Sequence, residues 1–130
     1  MSRTEWAREF FQKDRFASKT TGITIVEAKG DYAKCELKPN ENHMNAVGAV
    51  MGGAIFTLAD FAFAVATNTP ERHVTSVTSE ISYFARAKGD TLIAEANCHK
   101  MGKSVCFYTV EVKDNLGIHV ANVSVTGFLV

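Results

Sequence analysis

The chain has 130 residues, of which 46% are hydrophobic and 22% charged, and its formal net charge is zero. This length and composition suit a single folded domain spanning residues 1–130. The even charge balance, without a basic block, argues against nucleic acid as a partner. Three cysteines, none of them in a C-x-x-C pair, indicate reduced thiols and a cytoplasmic location.

A short amphipathic helix is predicted at the start of the chain. Ser2 and Glu5 have the spacing of a capping box, in which the side chain of each residue bonds the backbone N–H of the other. Trp6, Phe10 and Phe11 give the helix an apolar face. Charged residues interrupt this segment throughout, so we do not expect it to be a signal peptide.

Two strands and a loop are predicted next. Residues 23–28 form the first strand. The second strand alternates, with Ala33, Cys35 and Leu37 on one face and mostly charged side chains on the other. Residues 40–50 are then expected to form a loop.

The longest apolar segment comes directly after this loop. It begins at Gly52-Gly53 and ends before Pro70, which cannot continue a helix. Its apolar residues recur at helical spacing on one broad face: Ile55, Leu58, Ala59, Ala62, Val65 and Ala66. A helix that is apolar nearly all round is buried on several faces. Because this one is too short and interrupted to span a membrane, we predict a central helix of the domain and no membrane partner.

Four more strands are predicted at residues 74–84, 92–98, 106–112 and 118–129. The short turns between them indicate antiparallel pairing. A sheet with one apolar face needs a cover, and the central helix is the only element large enough to provide it.

Within the first of these four strands, alternation places Val77, Ile81 and Tyr83 on one face. Ser76 and Thr78 fall on the opposite, hydroxyl-rich face. Such a face is compatible with solvent, with an interface or with a polar site, and the spacing does not choose among them.

Asp60 is the residue most in need of an explanation, because a carboxylate inside an apolar helix is unfavourable by propensity and by burial. Gly52 and Gly53 leave the first helical turn without side-chain cover. Its free N–H groups and the helix dipole can therefore meet a carbonyl or an oxyanion. Together these features indicate a reaction site. The competing interpretations are a structural carboxylate, a glycine pair needed for close packing, and a loop Asn45 that only forms a turn.

The motif N-x-x-G-x-x-x-G-G-x-x-x-x-L-A-D, which runs from Asn45 to Asp60, carries a family resemblance. With the order of the elements, it resembles the hotdog fold, and more narrowly the small acyl-CoA thioesterases of the phenylacetic-acid-degradation type. The likeness covers roughly residues 20–130. It implies an α+β domain in which a bent antiparallel sheet of five to six strands wraps around one long central helix. It also implies a homodimer, with tetramers as pairs of dimers, and active sites at the dimer interface.

The resemblance implies catalytic roles for four residues. Asp60 matches the carboxylate that activates or positions the attacking water, and Asn45 matches a loop residue that holds water or substrate. Gly52 matches the glycine whose N–H polarises the thioester carbonyl, with Gly53 beside it. Ser76 matches a hydroxyl that assists the water in some members.

One position departs from the family pattern. The family usually has His-Gly-Gly, and Met51 stands here in place of the histidine. A thioether neither donates a hydrogen bond nor carries a proton. His43 lies nearby in sequence and is a candidate to replace it in substrate binding, the alternative being an ordinary loop histidine. The four histidines show no ligand spacing, so no metal site is expected.

The function predicted from the sequence is hydrolysis of an acyl-CoA thioester, with no cofactor beyond the coenzyme A of the substrate. The acyl group is expected to be an aryl or a short-to-medium chain, since several aromatic residues are candidates to line a pocket: Phe56, Phe61, Phe63, Tyr83 and Phe84. Met51 motivates an alternative, a non-catalytic acyl-CoA-binding or structural hotdog protein. An enoyl-CoA hydratase or dehydratase is a third, weaker alternative, because no residue is specified for proton transfer at the acyl chain.

Overall fold

A computed structural model describes all residues, 1–130. Its main elements are two helices and six strands, at α1 Arg3–Phe10, β1 Thr24–Lys29, β2 Tyr32–Leu37, α2 Gly52–Thr67, β3 Val74–Tyr83, β4 Leu92–Met101, β5 Val105–Asp114 and β6 His119–Leu129. Short helical turns lie at Phe11–Lys13, Phe16–Thr21 and Glu41–His43. None of the helices is both long and apolar enough to cross a membrane.

The six strands form one antiparallel sheet in the order β1-β2-β4-β5-β6-β3. Helix α2 lies across the sheet and contacts all six strands, most closely β2 and β4. The predicted α+β architecture, with a long central helix wrapped by the sheet and a short helix before it, is therefore confirmed.

The core sits between α2 and the concave face of the sheet. Leu58, Ala59 and Ala62 have no solvent exposure, and their small size lets the strands approach the helix closely. The inward side chains of β5 alternate as predicted, with Tyr108 and Val110 among them. The apolar pattern of the sequence thus marks the buried faces correctly.

Strand β3 departs from the predicted alternation. A register shift between Ser76 and Thr78 places one extra residue, Val77, opposite β6. Such a bulge leaves the extra residue out of the ladder and changes which way the later residues of the strand face. Val77 is consequently 65% exposed and does not share a buried face with Ile81, so the predicted grouping of these residues is wrong.

The two edge strands of the sheet differ in whether another element covers them. Helix α1 covers β1: the Thr4 hydroxyl bonds both backbone groups of Ala28, and the Arg8 guanidinium donates to the carbonyls of Ile25 and Val26. Strand β3 forms the other edge, and no element of the chain pairs with its outer side. One edge is therefore blocked and the other is open to another strand.

Candidate active site

The start of helix α2 offers unpaired hydrogen-bond donors. Met51 occupies the N-cap position and provides no side-chain cap. The amides of Ala54 and Ile55 already bond the carbonyl of Met51, whereas those of Gly52 and Gly53 have no partner in the chain. Two N–H groups at the positive end of a helix are suited to bind the oxygen of a polarised carbonyl.

The loop before the helix is held by Asn45. Its side-chain oxygen accepts hydrogen bonds from the N–H groups of Val47 and Ala49, each at 3.0 Å. Gly48, at φ +84°, supplies the left-handed conformation that this turn requires. The turn-forming interpretation of Asn45 is thus realised, and its exposed amide nitrogen is left as the group available to a ligand.

Tyr83, at the end of β3, supports the first turn of α2. Its hydroxyl donates to the carbonyl of Gly52 at 2.9 Å. A Cβ atom added to Gly52 would lie 3.0 Å from both Cζ and Oη of this tyrosine. The contact had no signal in the sequence, because it joins two residues 31 positions apart whose proximity depends on the sheet.

Two cavities flank the helix start. The first, of about 580 Å³, includes Gly52, Tyr83, Phe84 and Arg86 in its lining. The second, of about 650 Å³, is bounded by Phe16, Met51, Gly53, Thr57 and their neighbours, and no Asp, Glu, Lys or Arg lines it. The first cavity also includes Asp90, so a carbonyl bound at the Gly52-Gly53 amides would lie between a cavity with one cation and one carboxylate and a cavity with neither.

Among the predicted pocket aromatics, Phe61 and Phe63 belong to the core and line neither of these two cavities, although Phe61 also borders a separate cavity of about 240 Å³. Phe61 stacks edge-on against Phe11, with ring centroids 5.4 Å apart, and Phe63 packs edge-on against Tyr108 at 5.3 Å. Both are almost completely buried. The sequence could not separate these two from pocket residues, because both environments favour aromatic side chains.

Asp60 lies on the less buried side of α2, half-buried and without a hydrogen-bond partner. Burial, with a smaller contribution from the negative charge of Asp14, raises the pKa of its carboxyl group. Asp60 is eight residues beyond Gly52, which corresponds to about 12 Å along the helix axis. It lines neither cavity at the helix start.

Ser76 lies near the other end of the helix. Its neighbour Val74 donates its N–H to the Asn68 side chain just after α2, whereas Tyr83 reaches the helix start. Seven residues of strand separate Ser76 from Tyr83, about 23 Å. Within one chain, the structure thus places Met51, Gly52 and Gly53 together at the helix start and Asn45 in the loop before it, and leaves Asp60 and Ser76 away from them.

His43 is buried, and the protein itself occupies both ring nitrogens. Nδ1 accepts the N–H of Asn40 at 2.9 Å, so Nε2 carries the proton and donates to the carbonyl of Thr21 at 2.7 Å. Although its side chain borders the second cavity, no ring nitrogen is free for a substrate. These bonds favour a structural role for His43 and argue against its replacing the family histidine. Met51, by contrast, is 57% exposed beside the free amides.

No group of three or more His, Cys, Asp or Glu side chains is placed to hold a metal ion. The three cysteines, Cys35, Cys98 and Cys106, are free thiols. Burial raises the pKa of the Cys35 and Cys106 thiols, which makes them poor nucleophiles. The groups available at the helix start are therefore the backbone amides of Gly52 and Gly53, and Asp60 is the nearest carboxylate along the helix.

A long central helix wrapped by one antiparallel sheet is the architecture of the hotdog fold. The sequence profile of the thioesterase superfamily matches residues 47–118, more than half of the chain, and the protein belongs to this superfamily. Its prediction as a thioester hydrolase is thereby confirmed at the level of the family.

Known relatives agree with this assignment. Human acyl-coenzyme A thioesterase 13 is 36% identical over 69% of this chain and 66% of its own length. Acyl-coenzyme A thioesterase PaaI of Escherichia coli is 30% identical over 86% of this chain and 81% of its own. The PaaI structure superposes with a TM-score of 0.88 at 24% identity, over 99% of this chain and 96% of that one. A Streptococcus mutans protein solved bound to acetyl-CoA has a TM-score of 0.78 at 25% identity, over 83% and 88% of the two chains.

Proposed function

We propose that this protein hydrolyses acyl-CoA thioesters. Water adds to the thioester carbonyl, the C–S bond breaks, coenzyme A leaves as a thiolate that takes up a proton, and the acyl group departs as a carboxylic acid. The observation that carries the proposal is the pair of unpartnered amides at Gly52 and Gly53, placed where the developing oxyanion needs donors. The human and E. coli relatives, both named acyl-CoA thioesterases, support this substrate class.

The proposed catalytic groups are of two kinds, those that hold the substrate and those that act on the attacking water. The Gly52 and Gly53 amides hold the carbonyl oxygen, and the free amide nitrogen of Asn45 positions substrate or water. Asp60 acts as general base toward the attacking water or as a transient nucleophile, and Ser76 assists the water. Turnover in ¹⁸O-labelled water can establish the nucleophilic route, because hydrolysis of the acyl–Asp60 anhydride at the Asp60 carbonyl places ¹⁸O in that carboxylate, which the general-base route never does.

A dimer is part of the proposal because one chain does not contain a complete site. Asp60 is about 12 Å along the helix from Gly52, whereas reacting atoms need to approach to about 3.5 Å. Pairing of two β3 edges would set two α2 helices side by side in opposite directions. Asp60 and Ser76 of the partner subunit would then face Gly52. The open β3 edge and the blocked β1 edge support this arrangement, and a further pairing of dimers would give a tetramer.

The two cavities suggest how the substrate is oriented. Coenzyme A carries phosphates, so we assign it to the cavity that contains Arg86, the only Lys or Arg in either lining, although Asp90 lies in the same cavity. The acyl group then occupies the uncharged cavity, where the exposed side chains of Phe16 and Met51 offer apolar contact. This cavity supports an aryl or a short-to-medium acyl group. The acetyl-CoA bound to the S. mutans relative supports coenzyme A as the carrier.

The proposed reaction needs no further cofactor. The three free thiols support a cytoplasmic location.

The experiment that tests this function is release of free thiol from a panel of aryl and straight-chain acyl-CoAs. The native protein is compared with Asp60→Asn, which keeps the shape of the side chain but removes its charge. We expect hydrolysis by the native protein and a loss of about 10²-fold or more in the variant. Full activity in the variant would show that Asp60 is not the catalytic carboxylate.

Met51 supports one alternative function, a protein that binds acyl-CoA without cleaving it. The N-cap of α2 lacks the hydrogen-bonding side chain that the family histidine would supply. Tight binding of acyl-CoA without thiol release across the panel would favour this alternative. Recovery of thiol release in Met51→His would then show that the missing histidine is the cause.

A further inference from the structure

The Tyr83 hydroxyl makes a hydrogen bond to the backbone at an exposed part of the site. Although the side chain is 51% exposed, its hydroxyl donates to the Gly52 carbonyl at 2.9 Å instead of pointing only toward solvent. Its ring covers Gly52 so closely that a Cβ there would lie 3.0 Å from two of its atoms. The bond and the ring contact together fix the first turn of α2 against β3.

This contact bears directly on one of the two free amides. The Gly52 carbonyl and the Gly53 N–H belong to the same planar peptide unit. A hydrogen bond accepted by a carbonyl polarises its peptide and strengthens the N–H as a donor. The orientation of the Gly53 N–H is also fixed, because the plane of the peptide cannot rotate while its oxygen is held.

The first turn of α2 needs such support. A helix start is normally stabilised by a Ser, Thr, Asp or Asn at the N-cap, and Met51 provides no such bond. Two consecutive glycines make this turn more flexible still. Tyr83 lies at the end of a strand that pairs along its length with β6, so it has a firm base from which to hold the turn.

We propose that Tyr83 is a positioning residue that orients and polarises the Gly52–Gly53 peptide toward the carbonyl of the thioester. The inference deepens the proposed function and rests on it for the identity of the ligand. It also gives a reason for glycine at position 52, because any other side chain would have to displace the tyrosine ring. Tyr83 does not touch the reacting atoms and acts only through the peptide.

The test uses two stable analogues of an acyl-CoA that differ in the carbonyl. One is a ketone, in which a methylene replaces the sulfur and the carbonyl is retained, and the other is an S-alkyl thioether without a carbonyl. We expect Tyr83→Phe to weaken binding of the ketone by up to roughly fivefold, the effect of losing the single hydrogen bond donated by the Gly53 N–H. Binding of the thioether should stay within about twofold. A general loss of structure would weaken both analogues equally, so the ratio isolates the role of the peptide.

The matched control is Tyr32→Phe, which also removes one tyrosine hydroxyl, here bonded to Glu95 on the far side of the sheet. It should leave the ratio unchanged. In amide NMR, Tyr83→Phe is expected to shift the Gly53 N–H resonance, whereas Tyr32→Phe is not.

Equal effects of Tyr83→Phe on both analogues, or none on either, would overturn the inference. Because the readout is binding, it remains informative if the native protein cleaves no thioester. A selective loss of ketone affinity without hydrolysis would refute the proposed function and leave the role of Tyr83 standing. Hydrolysis by the native protein, together with an unchanged ratio of ketone to thioether affinity in Tyr83→Phe, would support the proposed function and refute the role of Tyr83.

Discussion

If the site is shared between subunits, two inactive variants will restore activity when they are combined in one dimer. The first variant is Asp60→Asn, which removes the catalytic carboxylate. The second is Gly53→Pro, which removes one carbonyl-binding N–H. Proline is tolerated in the first helical turn, and a Cβ at position 53 meets no atom within 4 Å, so the fold should survive this change.

The expected magnitude comes from the geometry of the site. Because about 12 Å of helix separates Gly52 from Asp60, the proposed dimer would take the amides of each site from one chain and its carboxylate from the other. Random pairing of equal amounts of the two variants makes about half of the dimers mixed, and in a two-fold symmetric mixed dimer one site of two is intact. The mixture should therefore recover about one quarter of native activity, from a background lowered about 10²-fold or more by either change alone.

The assay is thiol release by dimers purified after co-expression of the two variants with different affinity tags. Selection for both tags isolates the mixed dimer, whose activity should be about half that of the native protein, since one of its two sites is intact. Gly53→Ala is the matched control, because it adds a side chain in the same open space but keeps the N–H. Failure of the mixed dimer to exceed the single variants would refute a site shared across the interface.

Further changes test the surroundings of the site. Because burial and Asp14 raise the pKa of Asp60, the acid limb of the kcat/KM profile should lie above about pH 4, and Asp14→Asn should move it to lower pH. A carboxyl whose folded pKa exceeds its unfolded value costs stability once ionised. Asp60→Asn should therefore raise Tm at pH 7 and have no effect below about pH 3 in a thermal melt. Burial alone would raise the pKa of the Asp114 carboxyl group. The carboxylate accepts four backbone N–H bonds, however, and these lower its pKa to about 2. Its stabilisation is full above about pH 4 and is lost as pH falls through about 2, so Asp114→Ala should lower Tm at neutral pH and flatten this acid transition. Phe16→Ala should reduce kcat/KM for a medium-chain or aryl acyl-CoA by about tenfold and leave kcat/KM for acetyl-CoA unchanged. Equal losses for both substrates would show that the acyl group binds outside the second cavity.

The elements that the sequence predicted well are those in which local pattern and tertiary burial agree. Strand β2 alternates and is buried on alternate residues, and α2 shows a broad apolar face that the sheet covers. Asp60 and Gly52-Gly53 were found because they violate that pattern, and residues that break a local rule tend to mark function. Their roles stay predictions until activity is measured.

The features that the sequence did not predict depend on contacts between distant elements. The bulge at Val77 comes from the register between β3 and β6, which no local propensity specifies. The π-helical turn at Phe16–Thr21, which places Phe16 beside the second cavity, has no periodic signal in six residues. The position of His43, buried with both nitrogens bonded, depends on Thr21 and could not be seen from the loop itself.

Replacement of the family histidine by Met51 changes how the helix start has to be built. In the proposed mechanism there is no imidazole donor at position 51, so polarisation of a bound carbonyl falls to the Gly52 and Gly53 amides. Amides in an uncapped, glycine-rich turn are effective only if the turn is held still, since donors that reorganise during the reaction lose most of their electrostatic benefit. The bond from Tyr83 to the Gly52 carbonyl holds that turn from the sheet. The absence of the histidine thus makes the site more dependent on Tyr83, and the effect of Tyr83→Phe on ketone binding should shrink when Met51→His is introduced.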